Sequence, residues 1–343
     1  MNNYHKSDNH TFIVAEMSAN HNQEIELAMQ TMLAAKEAGA DAVKIQTYTP
    51  DTITIDCDAP CFMTDADGLW AGQTLYSLYQ KAHTPYEWHP RLYQFAREHE
   101  ILLFSTPFDK NAVDLLASLN NPIYKIASFE IVDLNLIRYA AKQKKPMILS
   151  VGIATEDEIF EAITVCREVG NNDITLLQCT SEYPAPPEGS QLRMIPDLKE
   201  RFHVKVGLSD HTMGISAAVS GVAIGAGVIE KHFILDRNRG GPDAAFSIEP
   251  AELKELVEQI RLVEKMLGRV DYSITPAKAA ARRNARSLFV VSDIQKGGLL
   301  TPDNVRSIRP GCGLEPKYLD KVLERTAKEA IPRGTPLSWD LLQ

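Results

Sequence analysis

The sequence predicts an α/β protein, a closed (β/α)8 barrel followed by a small C-terminal α+β domain. Three observations carry this expectation. From residue 12 onward, short β-branched apolar runs alternate with longer segments of helical periodicity, the pattern of repeated βα units around a parallel sheet. The 343 residues exceed the roughly 250 that one such barrel occupies but fall short of three domains. After Gly268 the pattern changes to an Ala-, Lys- and Arg-rich stretch and then to short strand-and-turn segments.

Taken in order, the strand runs are 12–16, 42–46, 102–105, 123–126, 147–151, 175–179, 205–208 and 228–231. Helical periodicity marks 25–38, 111–118, 156–169, 217–224 and 251–267, the last stopped by Gly268. Between the second and third strands, residues 47–100 form a long segment whose Asp-, Gly- and Pro-containing first half reads as a functional insertion over the barrel mouth. The predicted domains are the barrel at 1–268, a partly helical linker at 269–284 and a second domain at 285–343. That second domain turns at Lys296-Gly297-Gly298 and Pro332-Arg333-Gly334, and is too short to bury a large core alone, so it is expected to lean on something else.

Apolar residues at 44% and charged residues at 24% are those of an ordinary globular protein. A net charge of −9 argues against nucleic acid or an anionic membrane as partner, and an anionic substrate would need a local cationic pocket. The N-terminal segment is polar, and the run Phe12-Ile13-Val14-Ala15 is too short for a signal or a membrane span, which predicts a cytoplasmic protein. The five cysteines show no metal-ligand spacing, and Cys57 and Cys61 read as loop thiols.

Catalytic groups of such barrels gather where the strands end, so the polar residues there are the candidates. They are Glu16, Lys44 and Gln46, Ser105 and Thr106, Lys125 with Ser128 and Glu130, Thr180, Ser181 and Tyr183, Ser209 with Asp210 and His211, and Glu230 with Lys231 and His232. His211 and His232 follow apolar strands and together suit one divalent cation, with Asp243 either supporting it or serving as a turn residue. An ammonium in a barrel mouth calls for an anion, so Lys44 and Lys125, with hydroxyls from Thr106, Ser128, Ser181 and Ser209, suit a phosphate. Pairing of both lysines with Glu16 or Glu130 in a structural network is the alternative. His5, His10, His83, His89, His99 and His203 read as surface or packing residues, while His21, in Asn20-His21-Asn22, stands apart. The aromatics Trp70, Tyr76, Tyr79, Tyr86 and Trp88 suit either loop packing or a sugar platform.

Taken together, six segments resemble the sialic acid synthase family: 15–21, 43–48, 104–108, 124–130, 207–212 and 229–233. The segment from Asn284 resembles that family's antifreeze-like (SAF) domain. Met17-Ser18-Ala19, Gly68-Leu69-Trp70, residues 84–89, Gly241-Pro242-Asp243, residues 246–250 and Ser181 are similar to its pseudaminic acid synthase branch. The resemblance implies condensation of phosphoenolpyruvate with an open-chain amino sugar, 2,4-diacetamido-2,4,6-trideoxy-L-altrose for that branch, to a nine-carbon keto acid and phosphate. Legionaminic or N-acetylneuraminic acid synthesis is the alternative within the family. A non-catalytic carbohydrate- or ice-binding protein is the alternative outside it, opposed by the joint presence of Lys44, Lys125, His211 and His232.

The implied roles are catalysis by Glu16, Glu130 and Lys125, phosphoenolpyruvate binding by the lysines and hydroxyls, and sugar binding by Gln46, Tyr183, Asp243 and Arg286. His211 and His232 would hold Mn2+, with Mg2+ or Co2+ as alternatives; both Glu130 and a metal-bound water fit as the general base. The family also implies a homodimer whose C-terminal domain reaches the partner's barrel. Because ligand histidines must be neutral, activity is expected to fall below about pH 6.5.

Overall fold

The computed structural model describes residues 10–343, so most of the polar N-terminal segment, His5 included, lies outside the described residues. The chain divides into two compact units, one through Gly268 and one from Arg269 to Gln343.

The first unit is a closed parallel barrel of β1 (Phe12–Glu16), β2 (Ala42–Thr47), β3 (Leu103–Pro107), β4 (Tyr124–Ile126), β5 (Met147–Ser150), β6 (Ile174–Cys179), β7 (Lys205–Asp210) and β8 (Val228–His232). The strands pair in chain order, and β8 closes on β1 with His232 opposite Glu16. Successive side chains of a strand point to opposite faces, which explains the division of the core. Ile13, Val43, Ile45, Leu103, Leu149, Leu176 and Ile229 join the large cluster shared with the helices. The intervening Phe12, Val14, Ala42, Phe104, Ile123, Ile148, Leu177 and Val228 pack on one another as a separate apolar plug. Two residues further along the same rows stand Glu16, Lys44, Thr106, Lys125, Ser150, Cys179 and Glu230, all buried. An apolar floor therefore carries a polar layer at the strand ends. Gly207 lets β7 fit this floor, since a Cβ there would lie 2.3 Å from the Val228 carbonyl oxygen and 2.7 Å from Leu177 Cδ2.

Several strands run one or two residues past the predicted ends, because the parallel ladder continues through polar residues: Gln46 pairs with Thr106 and Asp210 with Lys231. The connecting helices begin at side-chain caps where the sequence supplies them. Asp109 accepts from the Ala112 amide, Asp133 from the Leu136 amide, and Thr155 and Glu158 cap each other's backbone. Within 47–100 the helix His89–Glu98 is the crossover between β2 and β3, so the true insertion is its first half. His89 roots it: its Nε2 lies 2.8 Å from Thr47 Oγ1, and burial pushes the imidazole down to about 4, which keeps it neutral.

In the second unit, β9 (Ser287–Val290) pairs antiparallel with β10 (Val305–Ile308). Its core is a compact set that includes Leu288, Val290, Ile294, Leu300, Val305, Val322, Ile331 and Leu337. Tight turns fall at Gln295–Gly298 and Pro332–Thr335, with Gly297 and Gly334 in the left-handed region. The linker stretch contains the helix Pro276–Arg282. All five cysteines are unpaired, and Cys57 and Cys61 lie outside disulfides in the insertion. No helix of the described residues is long and apolar enough to cross a membrane.

Candidate active site

The polar layer is held together by charge. Lys44 Nζ lies 2.6 Å from Glu16 Oε2 and 3.6 Å from Glu230 Oε1, and donates to Thr106 Oγ1 at 3.2 Å. Lys125 Nζ lies 3.7 Å from the same Glu230 oxygen and donates to Ser150 Oγ at 2.7 Å and to the Ile126 carbonyl at 3.2 Å. Gln46 donates to Glu16 Oε1 at 3.3 Å, and Ser209 to Glu230 Oε1 at 3.2 Å. Burial opposes every charge here, and the balance differs by residue. For Glu230 the two ammonium groups, Lys125 first, outweigh burial and hold the carboxyl below the usual range. Burial wins at Lys125, whose ammonium is pushed down, whereas at Lys44 the two carboxylates overcome burial and raise it. Both lysines thus join a carboxylate network, through Glu16 and Glu230 for Lys44 and through Glu230 alone for Lys125, rather than through Glu130.

Beside Lys125 the Ser128 and Ser181 hydroxyls touch one another, and Gly152 makes room for them, since a Cβ there would lie 2.5 Å from Ser181 Oγ. Glu130 follows on the same short helix, Ser128–Glu130. Burial raises its carboxyl to about 7 against the pull of Lys125, and its Oε2 is buried without a hydrogen-bond partner.

Above this layer stand the histidines. Their ring centroids are 5.3 Å apart. His211 Nδ1 meets the Thr180 carbonyl oxygen at 2.8 Å, and burial lowers its imidazole to about 3. His232 Nδ1 faces Asp243 Oδ2 at 3.6 Å. Asp243 in turn accepts from the Ala19 amide at 3.3 Å, so the loop after β8 is tied to the loop after β1. Asn20 reinforces the tie through the Phe233 carbonyl at 2.9 Å and Ser247 Oγ at 2.8 Å, and His21 next to it is buried and held neutral, near 4. His211 Nδ1 is thus held by a backbone oxygen and leaves Nε2 for a ligand, the arrangement that orients metal-binding histidines, whereas His232 Nδ1 is buried without a hydrogen-bond partner. Among the described residues no cluster of three or more His, Cys, Asp or Glu closes a full metal shell.

Tyr183 packs 4.4 Å from His211 and Phe246 4.9 Å from His232, with 5.1 Å between the two aromatic rings. From the insertion, Trp70 reaches the same wall, 5.8 Å from Tyr183 and 6.4 Å from Phe246, and donates Nε1–H to the Pro242 carbonyl at 2.7 Å.

The barrel residues given roles above therefore converge in one mouth, whereas the candidates Asp210 and Lys231 pair with each other and face away from it. Arg286 is exposed in the second unit, with Nη1 3.4 Å from the Ser307 carbonyl oxygen. Sequence reasoning named Glu230 and Asp210 as strand-end residues without a role, and passed over Ser150. The signal was available, since each of Glu230 and Ser150 continues an inward row that begins with an apolar plug residue.

Residues 31–272 match the profile described as the NeuB family, and residues 285–343 match the SAF domain. The chain belongs to the NeuB family. A pseudaminic acid synthase of Helicobacter pylori is 49% identical, with 96% of each chain covered. One of Campylobacter jejuni is 45% identical, again over 96% of each. Among solved structures, an N-acetylneuraminic acid synthetase of Leptospira borgpetersenii matches with a TM-score of 0.71 and 30% identity, covering 80% of this chain and 91% of that one. The NeuB match takes in the stretch from Thr31, inside the first barrel helix, through the barrel, and the SAF match takes in β9 and β10.

Proposed function

We propose that this NeuB-family protein condenses phosphoenolpyruvate with 2,4-diacetamido-2,4,6-trideoxy-L-altrose and water, releasing pseudaminic acid and inorganic phosphate. The observation that carries the reading is the stacking, in one mouth, of two buried lysines with adjacent hydroxyls beneath two neighbouring buried histidines. Lysines and hydroxyls are donors for a phosphate, and the names of the relatives at 49% and 45% identity support the choice of sugar.

His211 and His232 would hold a divalent ion, Mn2+ first and Mg2+ or Co2+ as alternatives. The donor set fits it, because His211 is neutral and fixed through Nδ1, while the buried Nδ1 of His232 has no hydrogen-bond partner and lies 3.6 Å from Asp243 Oδ2. When bound, such an ion supplies Lewis-acid polarisation of the sugar aldehyde. Lys44, Lys125, Thr106, Ser128, Ser181 and Ser209 hold the phosphate, while Gln46, Tyr183 and Asp243 line the sugar's side. C3 of phosphoenolpyruvate bonds to the aldehyde carbon, and Glu16 faces the positive charge that grows at C2. Glu130, poised near 7, takes a proton from the water that adds to C2. That proton ends on the former aldehyde oxygen, the bond from C2 to the phosphate oxygen breaks, and the remaining C2 hydroxyl proton leaves with phosphate as the C2 keto group forms. The reading places the protein in the cytoplasm as a homodimer in which Arg286 of each chain serves the partner's sugar site.

Phosphate release with a panel of diacetamido and N-acetyl sugars in Mn2+, followed by the mass of the product, tests this. Product is expected from the diacetamido altrose, and comparable turnover of N-acetylhexosamines would overturn the choice. Lys125→Ala should lower kcat/KM for phosphoenolpyruvate far more than it disturbs sugar saturation, and equal effects on both would contradict the phosphate cradle.

A further inference from the structure

The aromatic wall beside the histidines has an outer end supplied by the insertion. Tyr183 and Phe246 lie against His211 and His232, and Trp70 lies beyond them, its centroid 5.8 Å from Tyr183. The Trp70 ring is held in place by its Nε1–H, which donates to the Pro242 carbonyl at 2.7 Å. Its one polar hydrogen is thereby taken, and Phe246 has none, so the outer part of the wall offers ring surface rather than donors. An open-chain hexose spans about 6 Å from its aldehyde to C6, given carbon spacings shorter than those of a backbone. With the aldehyde at the histidines and the chain laid along this wall, its C6 end would extend past Tyr183 toward Trp70.

We infer that Trp70 is a specificity-determining residue for the distal half of the sugar, selecting a methyl at C6 over a hydroxyl there. The inference rests on the proposed diacetamido substrate. The physical cause is desolvation: a methyl gains by leaving water for a ring face, whereas a hydroxyl brought there loses its water and finds no free partner. A ring wall of this kind discriminates against added hydroxyls by about 10- to 100-fold and no more, because it lacks a group that would be left unpaired by the wrong sugar.

The experiment compares wild type, Trp70→Ala and Trp70→Phe on the diacetamido-trideoxy sugar and on N-acetylmannosamine, measuring kcat/KM for each sugar, KM for phosphoenolpyruvate, and sugar affinity by calorimetry. Trp70 is half-buried in an exposed segment, so both variants should melt with the wild type. In Trp70→Ala the preference for the diacetamido sugar, in turnover and in affinity, should fall about 10-fold, with the phosphoenolpyruvate KM within about 2-fold of wild type. Trp70→Phe, which keeps a ring and loses only the Pro242 tie, should retain most of the preference. An unchanged preference in Trp70→Ala would overturn the inference while leaving the proposed function standing, and so would an equal loss for both sugars. If wild type condenses neither sugar, the proposed function fails and the inference falls with it.

Discussion

At the level of single side chains, Glu130 pits stability against reactivity. Its carboxyl is raised from 4.5 to about 7 by burial, so the folded protein holds a proton there that the unfolded chain releases. Stability from this group is therefore full below about pH 4.5 and is lost as pH rises toward 7, by on the order of 3 kcal/mol at most. Glu130→Gln should then raise Tm at pH 8 and leave it near wild type at pH 4.5; a lower Tm at pH 8 would contradict the buried, unpartnered carboxyl. If Glu130 is the base, the same variant should lose about 100-fold in kcat, and the wild-type rise of kcat through pH 7 should vanish with it. Burial carries His211 to about 3, so its ring is already neutral where Glu130 titrates. Residue types and strand-end positions were legible in the sequence. The sign and size of these shifts were not, because they depend on which charges share the barrel interior, and sequence shows neither Glu230 between two lysines nor Glu130 without a partner.

At the level of elements, the histidine-bearing strand ends are clamped from behind. Asp210 on β7 pairs with Lys231 on β8 at 2.8 Å, both side chains 1% exposed, and Lys231 also donates to the Thr212 carbonyl at 2.7 Å. Thr212 closes the loop by donating its amide and hydroxyl to Asp210 Oδ1. These residues alternate with His211 and His232, so they face away from the mouth and set where the rings project. Lys231→Met should cost about 3–5 kcal/mol by leaving Asp210 buried and uncompensated. Denaturant unfolding checks this; a loss under about 1 kcal/mol would mean that water or another cation reaches the carboxylate. The strands were readable from their β-branched runs, but an apolar-run criterion stops at the first polar residue. For β7 that criterion ended the strand at Leu208, short of Asp210, and so hid the rung from Asp210 to Lys231 that joins it to β8. The crossover helix His89–Glu98 was lost inside a long insertion for the opposite reason, since its capping prolines and aromatics resemble loop composition.

At the level of the whole molecule, the second unit buries its own small core, and Arg286 is exposed on it. If each chain lends Arg286 to its partner, His211→Ala and Arg286→Ala homodimers should both be nearly inactive. Co-refolding at equal amounts would yield about half heterodimers, each with one intact site, and activity should return to roughly a quarter of wild type. A verified heterodimer without activity would exclude the exchange. Within the barrel, an apolar floor lies beneath the polar layer, and the carboxylates of Glu16 and Glu230 rest against the lysines above it. If the lysines bind phosphate as proposed, an arriving anion would not meet two bare cations; it would trade places with resident counter-ions, as in an ion-exchange resin. Part of the attraction would be offset by the partnerships given up, so affinity would stay moderate, and the same carboxylates would return to the lysines as the anion departs. The mouth would thereby be protected from being blocked by the phosphate that the proposed reaction sets free.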